Sequence, residues 1–420
     1  MLVLKNALTL DGRKDILIEG EKITRIVDAG ELKTSADEVI DCAGKAVIPG
    51  LVNTHTHLPM SLFRGLADDL PLMEWLEKHI WPAEDKHLSK EFCYYGALLS
   101  CIEMIKTGTT VFVDMYTFEK EMKKAVEESG MRAFLTEAIL DFKTKDYEAG
   151  QGVSFTEKLL KEEKNTSLVK IGVGPHSPYT CSEETLVKSK ELAEKHNALL
   201  HIHLSETKKE VEQVKEKTGK RPAEYLESIG FFDYNKIIAA HCVWLDEKEI
   251  SILAEHGVTV SHNPVSNAKL ASGIAPIPLM LSKGVNVTIG TDGCASNNTL
   301  DLFESMKMTA LIHKAKTLDP TTVNARQVIN MVTENAYKAL GLNIGLREGA
   351  AADLVIIDLK KPHLTPIYSF ESHLVYAAKS SDVDTVIING SIVMKNRKIL
   401  TINEEKVMEK ANELAEAVGK

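Results

Sequence analysis

Eight short β-rich apolar runs recur along the chain, at residues 46–52, 110–114, 132–139, 168–173, 199–203, 237–240, 258–261 and 285–289. Amphipathic stretches separate several of them, for example 183–196, 208–218 and 247–256. Each such helix carries the chain back to the end of the sheet where the preceding strand began. The pattern therefore predicts parallel pairing rather than hairpins. Eight units of this kind predict closure into an α/β fold, a (β/α)8 barrel of the TIM type.

The 420 residues exceed what the barrel needs, and the excess lies at both ends. Residues 1–48 carry strand-like segments at 2–8, 15–19 and 22–27, with turns at Asp11-Gly12 and Glu19-Gly20 and no room for a long helix. Beyond residue 350 strands return at 353–358, 385–388 and 391–394. The last two flank Asn389-Gly390, a strong hairpin signal. The termini thus predict one small β-sandwich built from 1–48 and 351–420, with a charged amphipathic helix at 404–417. Residues 49–350 form the expected barrel domain. Two connections are longer than turns: 58–90, holding Trp75, Trp81 and Glu84, and 141–155. Both follow barrel strands at the end where barrel enzymes keep binding residues and lids.

A formal net charge of -10 opposes phosphate backbones and anionic lipid, so neither nucleic acid nor membrane is an expected partner. No apolar run reaches the length of a membrane span. Lys5, Asp11, Arg13 and Lys14 interrupt any secretory leader, so a cytoplasmic location is expected. The six cysteines form no CxxC pair and read as buried thiols in a reducing compartment.

The chemistry begins at His55-Thr56-His57, at the end of the first barrel strand. Residues i and i+2 of a strand point to one side, so both imidazoles face one point on the rim. The fifth strand ends His201-Ile202-His203, the sixth at His241, the eighth at Asp292. Two histidines from strand one, one from strand five and a carboxylate from strand eight make a hydrolytic metal site with a position left for water. His55, His57, His203 and Asp292 are the expected ligands. His203 is preferred to His201, which lies one layer deeper as a hydrogen-bonded histidine. Zn²⁺ is the first candidate, and Mn²⁺, Fe²⁺ and Co²⁺ accept the same donors. Glu206, just past His203, is placed to move protons, although an acid before a helix also serves its N-terminus. His241 is either a further ligand or a residue that polarises the water, and we prefer the second. His176, in Gly174-Pro175-His176-Ser177-Pro178, reaches the same rim as a substrate contact.

Several runs resemble the amidohydrolase superfamily: PGLVNTHTH through His57, HLSE at 203–206, HCVWL from His241, SHNPVSN at 261–267 and GTDG at 290–293. Within it the chain is most similar to the 5-methylthioadenosine/S-adenosylhomocysteine deaminases, close to the archaeal 5′-deoxyadenosine deaminases. The resemblance covers nearly the whole chain and implies a small-molecule nucleoside substrate and a homo-oligomer. It implies ligand roles for His55, His57, His203 and Asp292, and a proton-shuttling, base-contacting role for Glu206. His241 would orient the hydrolytic water, Glu84 would bind the ribose hydroxyls, His176 would touch the nucleoside and Trp75 would line the pocket. The implied reaction is hydrolytic deamination at adenine C6. Asp292 and Glu206 take the protons of the activated water, Glu206 protonates N1, and ammonia leaves the inosine analogue.

The chain departs from the pattern in one respect. Relatives that grip the homocysteine carboxylate use arginine near the third-strand loop, and here no arginine stands between Arg132 and Arg221. Lys143 and Lys145 lie there as point charges without bidentate geometry. A neutral 5′ substituent is expected: 5′-deoxyadenosine, 5′-methylthioadenosine or adenosine, with S-adenosylhomocysteine less favoured. The alternatives are a deaminase or hydrolase of another amino-heterocycle, such as guanine, cytosine or a triazine, and a scaffold that has lost catalysis. A two-metal centre with a bridging lysine is disfavoured, since strand four ends in Gly174-Pro175-His176 and Lys170 stands at its start.

Overall fold

Eight parallel strands hydrogen-bond in chain order to make the barrel. They are Leu51–Thr56, Thr109–Tyr116, Arg132–Ile139, Val169–Pro175, Leu200–Leu204, Ile237–His241, Thr259–His262 and Asn286–Ile289. The structure is a computed structural model that describes residues 1–70 and 72–418. Residue 71, in the expected long connection, and residues 419–420, at the end of the expected terminal unit, lie outside the described residues.

The seam between strands eight and one is held by side chains. Thr54 Oγ1 bonds to Ile289 O (3.1 Å) and shares hydrogen bonds with the hydroxyls of Ser261 (2.7 Å) and Thr288 (2.9 Å). Asp292 N–H donates to His55 O (2.9 Å), which fixes the last strand end against the first.

The apolar run at 46–52 divides between two sheets. Lys45–Pro49 pairs antiparallel with Leu354–Asp358, and only from Leu51 does the barrel begin. Gly50 is the joint: a Cβ there would lie 2.1 Å from Thr110 Oγ1. An unbroken apolar run carries no mark of where one sheet ends and the next starts.

The terminal strands make the expected small β unit, nine strands hydrogen-bonded into a mixed sheet drawn from both chain ends. Strand alternation gives it two buried faces. Val47, Leu354 and Ile356 pack with Leu4, Ile16 and Ile18 in a core of their own. Ala46, Ile48, Val355 and Ile357 pack into the barrel's core. A buried ion pair, Arg132 Nε to Asp353 Oδ2 at 2.7 Å, ties the third barrel strand to this sheet. The final helix, Glu404–Val418, buries Val407 and Ala411.

Helix ends follow capping chemistry. The helix Glu183–His196 starts at Ser182, whose hydroxyl accepts Thr185 N–H (3.3 Å), and carries Glu183 and Glu184 in its first turn and Lys195 and His196 in its last. Asn197, in the left-handed conformation at φ 53°, ends it and turns the chain into strand five. The connection 58–90 is largely helical: a 3-10 helix at Leu58–Phe63, then Leu72–Trp75, Leu76–Ile80 and Trp81–His87. No helix among the described residues is long and apolar enough to cross a membrane.

Candidate active site

Strand one delivers His55 and leads directly into His57, and the two rings stand edge to face with centroids 4.8 Å apart. His203, from strand five, brings its ring 4.8 Å from His55 and 5.4 Å from His57. His241, the last residue of strand six, lies 5.2 Å from His55 by the same measure. Asp292 follows strand eight, with Oδ1 3.2 Å from His57 Nε2 and 3.5 Å from His55 Nε2. The barrel thus gathers four histidines and a carboxylate from strands one, five, six and eight at the C-terminal rim.

The outward ring nitrogens fix which nitrogen faces the centre. His57 Nδ1 donates to Met115 O (2.6 Å) and His203 Nδ1 to His176 O (2.8 Å). His55 Nδ1 contacts His201 Nε2 (3.0 Å), and His201 Nδ1 contacts Thr136 Oγ1 (3.2 Å), whose hydroxyl donates to Asp114 O. That chain runs in one direction, so each Nε2 turns its lone pair inward, as second-shell partners of metal-binding histidines do. His55 Nε2 is fully buried and has no hydrogen-bond partner among the described residues. An orphaned buried acceptor is costly, and a cation at this point would satisfy it. His55, His57 and Asp292 place ligand atoms within 4.8 Å of one another, as do His55, His203 and His241. Nitrogen and oxygen donors without thiolate suit a divalent ion of the zinc type. The residues fit the metal that the sequence implies. Removing the acceptor behind His55, in His201→Phe, is expected to weaken metal affinity by about 10- to 100-fold. Competition with a chelator measures it, and unchanged affinity would show that His201 only fills space.

Asp292 is held from every side. Its Oδ2 accepts from Ser266 Oγ (2.6 Å) and Ser296 Oγ (2.8 Å), and Oδ1 accepts Gly293 N–H (2.8 Å). Burial opposes its charge, but the imidazoles of His55 and His57 beside it hold the carboxyl well below the usual carboxylate range. Gly290 lets this segment approach: a Cβ there would lie 2.7 Å from His55 Cβ and 2.5 Å from Asn263 Oδ1. The backbone is strained at the same rim. Ser205, His241, Cys242 and Asp292 have φ of 50°, 72°, 50° and 68°. For residues other than glycine such conformations cost about 1–3 kcal/mol each and persist where surrounding bonds enforce them, commonly at functional sites.

Glu206 faces His241, Oε2 to Nε2 at 3.8 Å, and His241 Nδ1 donates to Asn267 Oδ1 (2.9 Å). The helix-end role open to Glu206 belongs to another acid. Glu210, inside the helix Lys208–Thr218, accepts Ser205 N–H and Glu206 N–H at 2.7 Å each. Thr207 caps that helix by accepting Glu210 N–H (3.1 Å). The Glu206 carboxyl is therefore free to face the centre, where burial raises its pKa against the opposing effect of His241.

A cavity of about 670 Å³ opens above these groups. Its floor includes His57, His203, Glu206, His241 and Asp292, with His176 beside them. His55 lies beneath, fully buried. Apolar walls come from the helical connection, with Leu72, Trp75 and Trp81, and from the third-strand loop, with Leu140 and Phe142. Trp75 is 4% exposed, and its indole Nε1 has no partner among the described residues. Glu84 also lines the cavity; burial pushes its carboxyl up to about 7, a hydrogen bond from Tyr116 working the other way. Every residue predicted for the site thus reaches the cavity or the cluster under it. The sequence reading missed the partners that hold them: Tyr116, Ser266, Asn267 and Ser296. Two of these stand in SHNPVSN, a run whose match to other proteins was the only available signal.

An eight-stranded parallel barrel with histidines and a carboxylate converging at its C-terminal rim defines a barrel hydrolase. The chain belongs to the amidohydrolase family, described as "Amidohydrolase family", whose profile matches residues 46–393. It is 51% identical over 419 residues to a 5′-deoxyadenosine deaminase of Methanocaldococcus jannaschii, covering 99% of both chains. It is 48% identical over 431 residues to a 5-methylthioadenosine/S-adenosylhomocysteine deaminase of Syntrophobacter fumaroxidans, covering 99% of this chain and 98% of that one. Among solved structures it resembles an adenosine deaminase from Xanthomonas campestris with bound zinc, with a TM-score of 0.96 and 31% identity, covering 100% of this chain and 98% of the other.

Proposed function

We propose that this protein hydrolytically deaminates adenine C6 of adenosines carrying a small neutral 5′ group, giving the inosine analogue and ammonia. The observation that carries the reading is the pairing of Glu206 with His241 on the floor of a largely apolar cavity that holds the Glu84 carboxylate, free of any lysine or arginine partner among the described residues, on its wall. The relatives at about half identity, named for 5′-deoxyadenosine and for 5-methylthioadenosine/S-adenosylhomocysteine, support deamination of a 5′-modified adenosine.

His55, His57, His203 and Asp292 would hold one divalent ion, and zinc is the first to test, given the zinc in the Xanthomonas structure. When bound, the ion supplies the Lewis acidity that makes water nucleophilic near neutral pH. The chain's own residues do the rest. His241, with Nδ1–H committed to Asn267, presents Nε2 as an acceptor that orients the attacking water. Glu206, with a raised pKa, carries a proton from that water to ring N1 as the C6–O bond forms. Asp292 accepts the second proton, the exocyclic nitrogen takes one as it departs, and ammonia leaves. Glu84 would bind the ribose hydroxyls, with His176 and Trp75 against the nucleoside. All six cysteines are buried and free, which fits a reducing cytoplasm.

The mouth argues for a neutral 5′ group. Its two lysines are already paired, Lys145 to Asp85 at 2.9 Å and Lys143 to Glu148 at 2.8 Å. A hydrogen bond to a charged group contributes about 1.5–3 kcal/mol, so a substrate carboxylate without such a partner forgoes about tenfold or more in affinity. We expect kcat/KM for 5′-deoxyadenosine, 5′-methylthioadenosine and adenosine to exceed that for S-adenosylhomocysteine by about tenfold. An ultraviolet assay across these four substrates and a guanine and cytosine panel measures it. A strong preference for the homocysteine conjugate would overturn the specificity, and turnover of guanine or cytosine alone would overturn the substrate class.

A further inference from the structure

Tyr116 has no role in the chemistry above, yet it is built into the site. It ends the second barrel strand and is 7% exposed, one residue past Met115, whose carbonyl holds the His57 ring. Its own ring lies 6.2 Å from that of His57. Its hydroxyl donates to Oε1 of Glu84, which arrives from the helix Trp81–His87. Among the described residues no other group donates to the Glu84 carboxylate, and no lysine or arginine pairs with it.

A glutamate's terminal torsion is broad and soft. A carboxylate that must accept from two neighbouring hydroxyls needs its plane fixed, because the bonds are lost if it rotates. A single strong donor on one oxygen does that and leaves the other oxygen to the cavity. We propose that Tyr116 is a positioning residue for ribose recognition: its hydroxyl pins one oxygen of Glu84 so that the carboxylate is preset for a vicinal diol. The proposal rests on the nucleoside reading of the pocket. It makes the enzyme's preference for 2′,3′-hydroxylated substrates a property of the Tyr116–Glu84 pair rather than of Glu84 alone.

Adenosine and 2′,3′-dideoxyadenosine differ only in the diol and provide the test. The zinc-loaded enzyme, Tyr116→Phe, Glu84→Gln and the double variant would be assayed on both, with melting temperatures as a check on folding. Tyr116→Phe is expected to raise KM for adenosine about tenfold with kcat within about twofold. It should leave kcat/KM for the dideoxy substrate unchanged. The double variant should be no worse on adenosine than Glu84→Gln. Equal losses on the two substrates, a loss confined to kcat, or fully additive effects in the double variant would overturn the proposal. If the wild-type enzyme deaminates no adenosine at all, the nucleoside reading itself falls. If it turns adenosine over but discriminates against the dideoxy substrate equally in all four proteins, this proposal alone falls.

Discussion

Replacing Glu206 by glutamine is expected to lower kcat by about 10³-fold while metal content and melting temperature stay as in the wild type. The expectation follows from what the carboxyl does and does not touch. The loop that carries it is held by Glu210, which binds the backbone N–H groups of residues 205 and 206, so the local fold does not depend on the Glu206 side chain. The carboxyl lies 3.8 Å from His241 and borders the cavity, and glutamine occupies the same volume there. The amide can hydrogen-bond a purine but cannot carry a proton from water to N1. General acid–base transfer contributes about 10²–10⁴-fold, and nearly all of it would be lost. Stopped ultraviolet assays give kcat, and elemental analysis of the purified variant gives the metal. Turnover within tenfold of wild type would show that Glu206 carries no proton in the reaction and remove the deaminase mechanism built on it.

The competition between those two roles shows where sequence reasoning reaches its limit. Ser205-Glu206-Thr207 before a helix is compatible with either acid serving the helix end. Only the structure shows Glu210 folding back to do so. The barrel strands were legible because apolar β-rich runs leave a periodic trace. The helical cover over residues 72–87 was harder to read, because Pro82 interrupts the pattern. In the structure Pro82 stands in the first turn of Trp81–His87, where a missing N–H costs nothing. His313 reads as a surface or helix residue, and the structure places it on a helix, Leu302–Thr317, in the buried stripe with positions 302, 306 and 310. Its Nε2 lies 3.3 Å from that of His262.

The order of strands in the terminal sheet left no trace either, since alternation records which face is buried and not which neighbour is paired. At the site, the histidines announced themselves by spacing along strands. The groups that aim them, such as Met115 O, His176 O and Thr136, do so through backbone carbonyls or across strands, where no spacing rule applies. The strained rim is equally silent, because Ser205, His241 and Asp292 carry positive φ without being glycine.

Asp292→Asn should be the most severe change to the cluster itself, with metal affinity falling by more than about 10²-fold and activity falling with it. The substitution preserves shape. Ser266 and Ser296 can rotate their hydroxyls to meet either end of the amide, and Gly293 N–H can still donate to its oxygen, so the segment after strand eight is expected to hold its path. What disappears is the charge. Asp292 is the sole carboxylate within 4 Å of His55 Nε2 and His57 Nε2 among the described residues. With asparagine, a divalent ion would face three neutral imidazoles and a neutral amide, with no fixed negative charge to offset its own. The proton acceptor that Asp292 offers the reaction would vanish as well, so saturating metal should restore occupancy without restoring kcat. Metal titration followed by activity at full occupancy separates the two losses. Full recovery of turnover in excess zinc would show that Asp292 serves the ion alone, and unchanged metal affinity would remove it from the ligand set.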